Sequence, residues 1–177
     1  ALGMPSMTGP FLFTIMSQVA ASSVFWFGLR PDPLLIAKEL NSAKVKGKTS
    51  LATAIQTLKK YPLAALAISA IALSHMVMVS VMSMTPIHMK SMGFDLVIVG
   101  FTISLHIAGM YAFSPIFGWL SDKIGRVQTV ILGQSIYVVA LAFAGFGQDD
   151  RTMVTVGLFL LGLGWSASTV GGAALLT

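Results

Sequence analysis

The stretch Gly-Trp-Leu-Ser-Asp-Lys-Ile-Gly-Arg at residues 118–126 places one acidic residue, two basic residues and two glycines between long apolar segments. Gly125 permits turn conformations that a side chain would oppose, and Gly118 permits close approach of a neighbouring backbone. We therefore expect a tight polar hairpin that joins two membrane helices.

The composition of the whole chain agrees with a membrane protein. Of its 177 residues, 55% are hydrophobic and 10% are charged, which excludes an ordinary soluble domain. A spanning helix needs roughly 20 mostly apolar residues. Segments of this kind predict an all-α polytopic transmembrane bundle, and they lie near 10–29, 63–87, 95–120, 127–146 and 152–177.

The basic residues follow membrane topology and do not indicate a nucleic-acid partner. Seven of the eleven Lys and Arg residues lie within residues 30–60, and two lie within 118–126. The positive-inside rule places residues 30–61 and 121–126 in the cytoplasm. The chain has no cysteine, so disulfides, thiol nucleophiles and thiolate metal sites are excluded.

Residues 118–126 closely resemble the G-x-L-x-D-(R/K)-x-G-(R/K)-(R/K) signature of the major facilitator superfamily, and Val127 departs from its last basic position. The resemblance implies a secondary carrier that moves a small solute across the cell membrane by alternating access. It also implies that the Asp122 carboxylate meets a basic loop residue and a helix N-terminus, and so latches the cytoplasmic side shut. The residues expected to form this latch are Gly118, Asp122, Lys123, Gly125 and Arg126.

Loop lengths favour the middle of a twelve-helix transporter of this family. Residues 1–29 then hold the last helix of the N-terminal half, 30–61 the cytoplasmic central linker, and 62–177 the first four helices of the C-terminal half. In the competing register, the signature is the first copy and an extra span precedes helix one. We expect an incomplete bundle, whose partners are the lipid bilayer, the missing N-terminal half and helices eleven and twelve.

The long polar connection has two interpretations. Leu51, Ile55 and Leu58 recur at helical spacing before Lys59 and Lys60, which is typical of a short amphipathic helix on the inner leaflet. A mobile solvated linker is the alternative.

Two stripes of small residues predict close helix packing: Gly100, Ser104, Ala108 and Ala112 in the third span, and Gly164, Ser168 and Gly172 in the last. Pro115 removes a backbone donor, which predicts a bend within residues 111–115.

Polar groups inside a bilayer are costly, so they are candidates for a substrate or proton pathway. The candidates are His75, His106, Tyr111 and Gln134. Imidazole suits proton coupling because it titrates near neutral pH. The alternative for His106 is a neutral histidine that hydrogen-bonds an adjacent helix.

A methionine-rich run at residues 76–92 suggests copper, because thioether and imidazole groups are ligands for Cu(I). However, residues two apart lie on different helix faces, so we expect packing methionines, no metal and no cofactor.

Two other classes of function compete with the carrier. An intramembrane enzyme is disfavoured, since the chain has no His-Glu-x-x-His and no Gly-x-Ser-x-Gly. A transporter-like scaffold or receptor without flux stays open.

Overall fold

The computed structural model describes residues 9–28, 35–36, 50–147 and 149–176. The chain divides into two compact units, residues 1–50 and 51–177. In the first unit, helix α1 runs over Gly9–Gly28 and coincides with the predicted segment 10–29.

The second unit is helical throughout its described regular structure. Its helices are α2 (Leu51–Lys60), α3 (Pro62–Ser91), α4 (Leu96–Tyr111), α5 (Ser114–Ile124), α6 (Arg126–Phe146) and α7 (Arg151–Leu175). Among the described residues, 4 stretches are long and apolar enough to cross a membrane, namely α3, α4 with α5, α6, and α7. The predicted polytopic helical bundle is thus confirmed. Helix α3 ends at Ser91 and not near residue 87, because it passes through Pro86 without a break.

The helix is interrupted within residues 111–115, where the sequence predicts a bend. Helix α4 ends at Tyr111, helix α5 begins at Ser114, and Pro115 lies in the first turn of α5. Proline is tolerated there because the first turn of a helix needs no donor from it. The Ser114 hydroxyl donates to the Met110 carbonyl at 2.9 Å and so bridges this interruption.

Helix α2 decides between the two interpretations of residues 51–60 in favour of a helix. Leu51 and Ile55 are exposed on it, and α2 contacts α3. Most of the preceding connection, including residues 37–49, lies outside the described residues.

Helix α7 lies at the centre of the second unit and contacts α3, α4, α5 and α6. Its glycines let the neighbouring backbones approach. A Cβ atom at Gly164 would lie 3.0 Å from the carbonyl oxygen of Gly133 on α6. A Cβ atom at Gly171 would lie 3.1 Å from the carbonyl oxygen of Arg126. The predicted stripe Gly164, Ser168 and Gly172 is therefore a packing surface, with Gly172 against Ile71 of α3.

The stripe predicted in the third span does not pack within the described part of the chain. A Cβ atom at Gly100 would have no described neighbour within 4 Å, and Ser104 is exposed. Close approach occurs instead at Gly109, whose Cβ would lie 2.9 Å from the Phe159 carbonyl oxygen. Gly109 is one residue beyond Ala108, and one residue turns the helix face by about 100°.

Candidate functional site

The signature residues 118–124 form the end of α5 and are not an open loop, and the chain turns at Gly125, which has φ 105° and directly precedes α6. This conformation is in the region that favours glycine, as predicted from the sequence. Gly118 has no neighbour within 4 Å of its Cβ position among the described residues. The close backbone approach expected at Gly118 is therefore not made by the described part of the chain.

The charged groups of the loop differ in their contacts. Asp122 is exposed in the last turn of α5, and it has no hydrogen bond or ion pair with a described residue. The Lys123 ammonium lies 4.6 Å from the centre of the Trp119 ring. The Arg126 guanidinium donates to the Ala174 carbonyl near the end of α7. Among the described residues, Lys123 and Arg126 thus contact groups other than Asp122. The Asp122 carboxylate is therefore available to bind a partner outside the described part.

Gln134 joins three helices. Its Nε2 amide donates to the Ser74 hydroxyl of α3 at 2.9 Å and to the Ser168 hydroxyl of α7 at 3.1 Å. The Tyr137 hydroxyl donates to the Ser74 carbonyl at 2.9 Å, one turn further along α6. Tyr137 was not among the sequence candidates, although its phenol falls at mid-span three residues after Gln134. This network holds α3, α6 and α7 together.

His106 is 1% exposed and lies between α4 and α7. Its Nδ1 atom is 2.8 Å from the Leu158 carbonyl oxygen. Because a carbonyl only accepts, Nδ1 carries the proton and Nε2 carries the lone pair. Nε2 is buried and has no partner among the described residues. The hydrogen bond to an adjacent helix, expected for a neutral histidine, is therefore present.

His75 and Tyr111 meet through a third ring that sequence reasoning missed. The ring centroid of Trp165 lies 5.4 Å from that of His75 and 5.7 Å from that of Tyr111. Both pairs are edge-on, with interplanar angles of 63° and 65°. The only sequence signal for Trp165 was an indole at the middle of an apolar, glycine-rich helix.

The four polar candidates thus occupy three places in the second unit. His75 and Tyr111 share Trp165, Gln134 belongs to the serine and tyrosine network, and His106 is held by α7. Gln134 also borders an apolar groove of about 550 Å³ between α3 and α6, which Leu66, Leu73 and Val130 help to line.

Comparison with known proteins shows that the sequence of this chain is similar to those of transporters. A model of the Major Facilitator Superfamily matches residues 5–177. The uncharacterized MFS-type transporter YdeG of Bacillus subtilis (strain 168) is 35% identical over 179 residues, and YddS of the same organism is 33% identical over 180 residues. Each alignment covers 99% of this chain and 41% of the relative, so the chain spans less than half the length of these curated relatives. No solved structure matches the chain significantly.

Proposed function

We propose that this chain, which belongs to the major facilitator superfamily, forms the middle of a secondary transporter. The transporter moves a small solute by alternating access. Residues 1–29 are the last helix of the N-terminal half, 30–61 the central linker, and 62–177 the first four helices of the C-terminal half. The complete transporter lies in the cell membrane. The observation that carries the proposal is the signature loop, with a matched acidic residue exposed at the end of the bundle.

The Asp122 carboxylate acts as the conformational latch. It lies in the last turn of α5, where the partial negative charge of the helix end disfavours an anion. The Asp122 carboxylate therefore does not stabilise α5. This position suits a carboxylate that binds a partner outside α5. Its partner would come from residues outside the described part, in the outward-facing state. Helix-end interactions with an anion are worth about 0.3–1 kcal/mol when exposed, and up to about 2 kcal/mol when partly buried. That range lets a latch both close and open.

Proton coupling belongs to the proposal, and His106 is its candidate residue in the described helices. Its Nε2 lone pair has no partner among the described residues and could accept a proton, and the buried imidazolium would then need a partner from outside the described part. His106→Asn keeps a donor toward the Leu158 carbonyl but cannot titrate near neutral pH. Uptake driven by a pH gradient should be lost in this variant, while exchange without a gradient should persist.

The test of the proposed function uses the complete transporter in liposomes. A panel of small solutes is first screened for thermal stabilisation of the protein, and each stabilising solute is then measured in counterflow. A carrier accelerates exchange of the solute across the membrane. A scaffold or receptor binds the solute without exchange, and this result would overturn the proposal.

A second arm of the experiment uses residues 1–177 alone. The substrate of such a carrier lies between two halves that rock against each other, and this chain supplies few helices of the first half. Saturable uptake by the isolated chain would contradict the two-half mechanism.

A further inference from the structure

We propose that His75, Tyr111 and Trp165 form a binding subsite for an aromatic ring that carries a hydrogen-bond acceptor, such as an aromatic amide or carboxylate. This inference rests on the proposed function and names the class of solute that the carrier takes. The three side chains come from α3, α4 and α7, and Trp165 touches both other rings edge-on at 5.4 and 5.7 Å.

The first argument is that the indole N–H of Trp165 is a hydrogen-bond donor without an acceptor. The Trp165 Nε1 atom is buried and has no hydrogen-bond partner among the described residues. The Thr169 hydroxyl is also buried without a partner in the same part of the chain. Residues four apart lie on the same helix face, so both groups face one side of α7. A buried donor without a partner is costly, and an acceptor on a ligand would remove that cost.

The second argument concerns the two rings that contact Trp165 edge-on. Tyr111 is 61% exposed and His75 is also exposed. Neither side chain has a hydrogen bond with a described residue. In the proposed subsite, rotation of either ring makes room for a ligand beside the indole. An incoming aromatic ring can then make the edge-on contact that the displaced ring gave up.

The third argument is charge. In the described membrane helices the acidic residues lie near helix ends, with Asp95 and Asp150 as N-caps and Asp122 in the last turn of α5. A cation bound beside Trp165 at mid-span would therefore meet no carboxylate of this part of the chain. The basic residues Lys90, Lys123, Arg126 and Arg151 also lie at helix ends, so charge alone does not choose the ligand. The unsatisfied indole N–H favours an acceptor, which a neutral amide or a carboxylate supplies.

The experiment measures equilibrium binding of 1-naphthoate to the complete transporter. Two analogues separate the contributions: decahydro-1-naphthoate keeps the carboxylate without the aromatic ring, and 1-naphthylmethylammonium keeps the ring with a cation. We expect 1-naphthoate to bind most tightly of the three. Equal or tighter binding of either analogue would overturn the proposal, as would absence of 1-naphthoate binding.

Two substitutions of the indole divide its roles. Trp165→Phe keeps a ring and removes the N–H, and should weaken 1-naphthoate binding about tenfold. Trp165→Leu also removes the ring, and should weaken binding by roughly another tenfold. Trp119→Phe is the matched control, because Trp119 lies on α5 beside Lys123 and has no ring contact with Trp165, and it should leave the affinity unchanged.

If Trp165→Leu does not fold, Trp165→Phe and Tyr111→Leu decide the question, since Tyr111 is exposed and its loss leaves the core intact. Unchanged affinity in both would mean that the rings only pack against each other. The result is independent of the counterflow assay. If the protein exchanges a solute but substitution of Trp165 leaves the 1-naphthoate affinity unchanged, only the subsite is refuted. If 1-naphthoate binds but no solute is exchanged, the carrier function is refuted and the subsite is retained.

Discussion

The Arg126 guanidinium at the start of α6 donates a hydrogen bond to the Ala174 carbonyl in the last turn of α7. The last carbonyls of a helix have no partner within it, and a cation is favoured at that end. The neighbouring backbones are also close, since a Cβ at Gly171 would lie 3.1 Å from the Arg126 carbonyl oxygen. The signature arginine thus fixes the loop to the central helix.

Arg126→Ala should lower the free energy of unfolding by about 1 kcal/mol, because it removes a charged hydrogen bond and a favourable helix-end charge. Denaturant titration of the complete transporter measures the loss. Lys90→Ala, at the exposed end of α3, removes the same charge without such a bond and serves as the control. Equal losses in both variants would show that net charge matters and the Ala174 contact does not.

Gly162→Ala should destabilise the protein by about 1–3 kcal/mol, because its new methyl group would collide with the backbone carbonyl of His106. Gly100→Ala should stay within about 0.5 kcal/mol of the wild type, since no described atom lies within 4 Å of its Cβ. Thermal unfolding of the two variants measures the contrast. If Gly100→Ala does destabilise the protein, a residue outside the described part must lie close to Gly100.

Gln134→Leu should cost about 0.6–2 kcal/mol, the range for hydrogen bonds between membrane helices, since it frees hydroxyls on α3 and α7. Ser135→Ala is the neighbouring control, because among the described residues the Ser135 hydroxyl bonds only to the Ile131 carbonyl of its own helix. Unfolding midpoints of the two variants should differ clearly. Similar midpoints would show that the Gln134 network adds no stability.

Asp122→Asn should slow transport roughly tenfold in the complete transporter with little effect on expression, because it removes the charge and keeps the shape. Lys123→Arg keeps the positive charge next to Asp122, so it should reduce the transport rate only slightly. Initial uptake rates, normalised to the amount of protein in the membrane, measure both. Wild-type rates in Asp122→Asn would leave the carboxylate as a topology marker only.

Single cysteines test the topology, and the chain has no native cysteine in its 177 residues to interfere. Lys59→Cys on α2 should react with impermeant thiol reagents from the cytoplasmic face, and Asp149→Cys before α7 from the external face. Labelling of both from one face would contradict the number of membrane crossings between them. The sites at Ser42 and Gln148 would serve equally by sequence, but they lie outside the described residues.

The sequence by itself determined four of the five predicted membrane spans, the turn at Gly125 and the helix interruption before Pro115. Each of these is a local property: a bilayer demands an apolar length, a positive φ favours glycine, and proline lacks a donor. Only the tertiary structure decided which small residues pack and which polar groups meet. Helix α7 carries glycines on several faces, so spacing alone cannot say that Gly162 meets α4 while Gly164 meets α6. The contact of Trp165 with His75 and Tyr111 likewise joins residues far apart in the chain, and no local pattern encodes it.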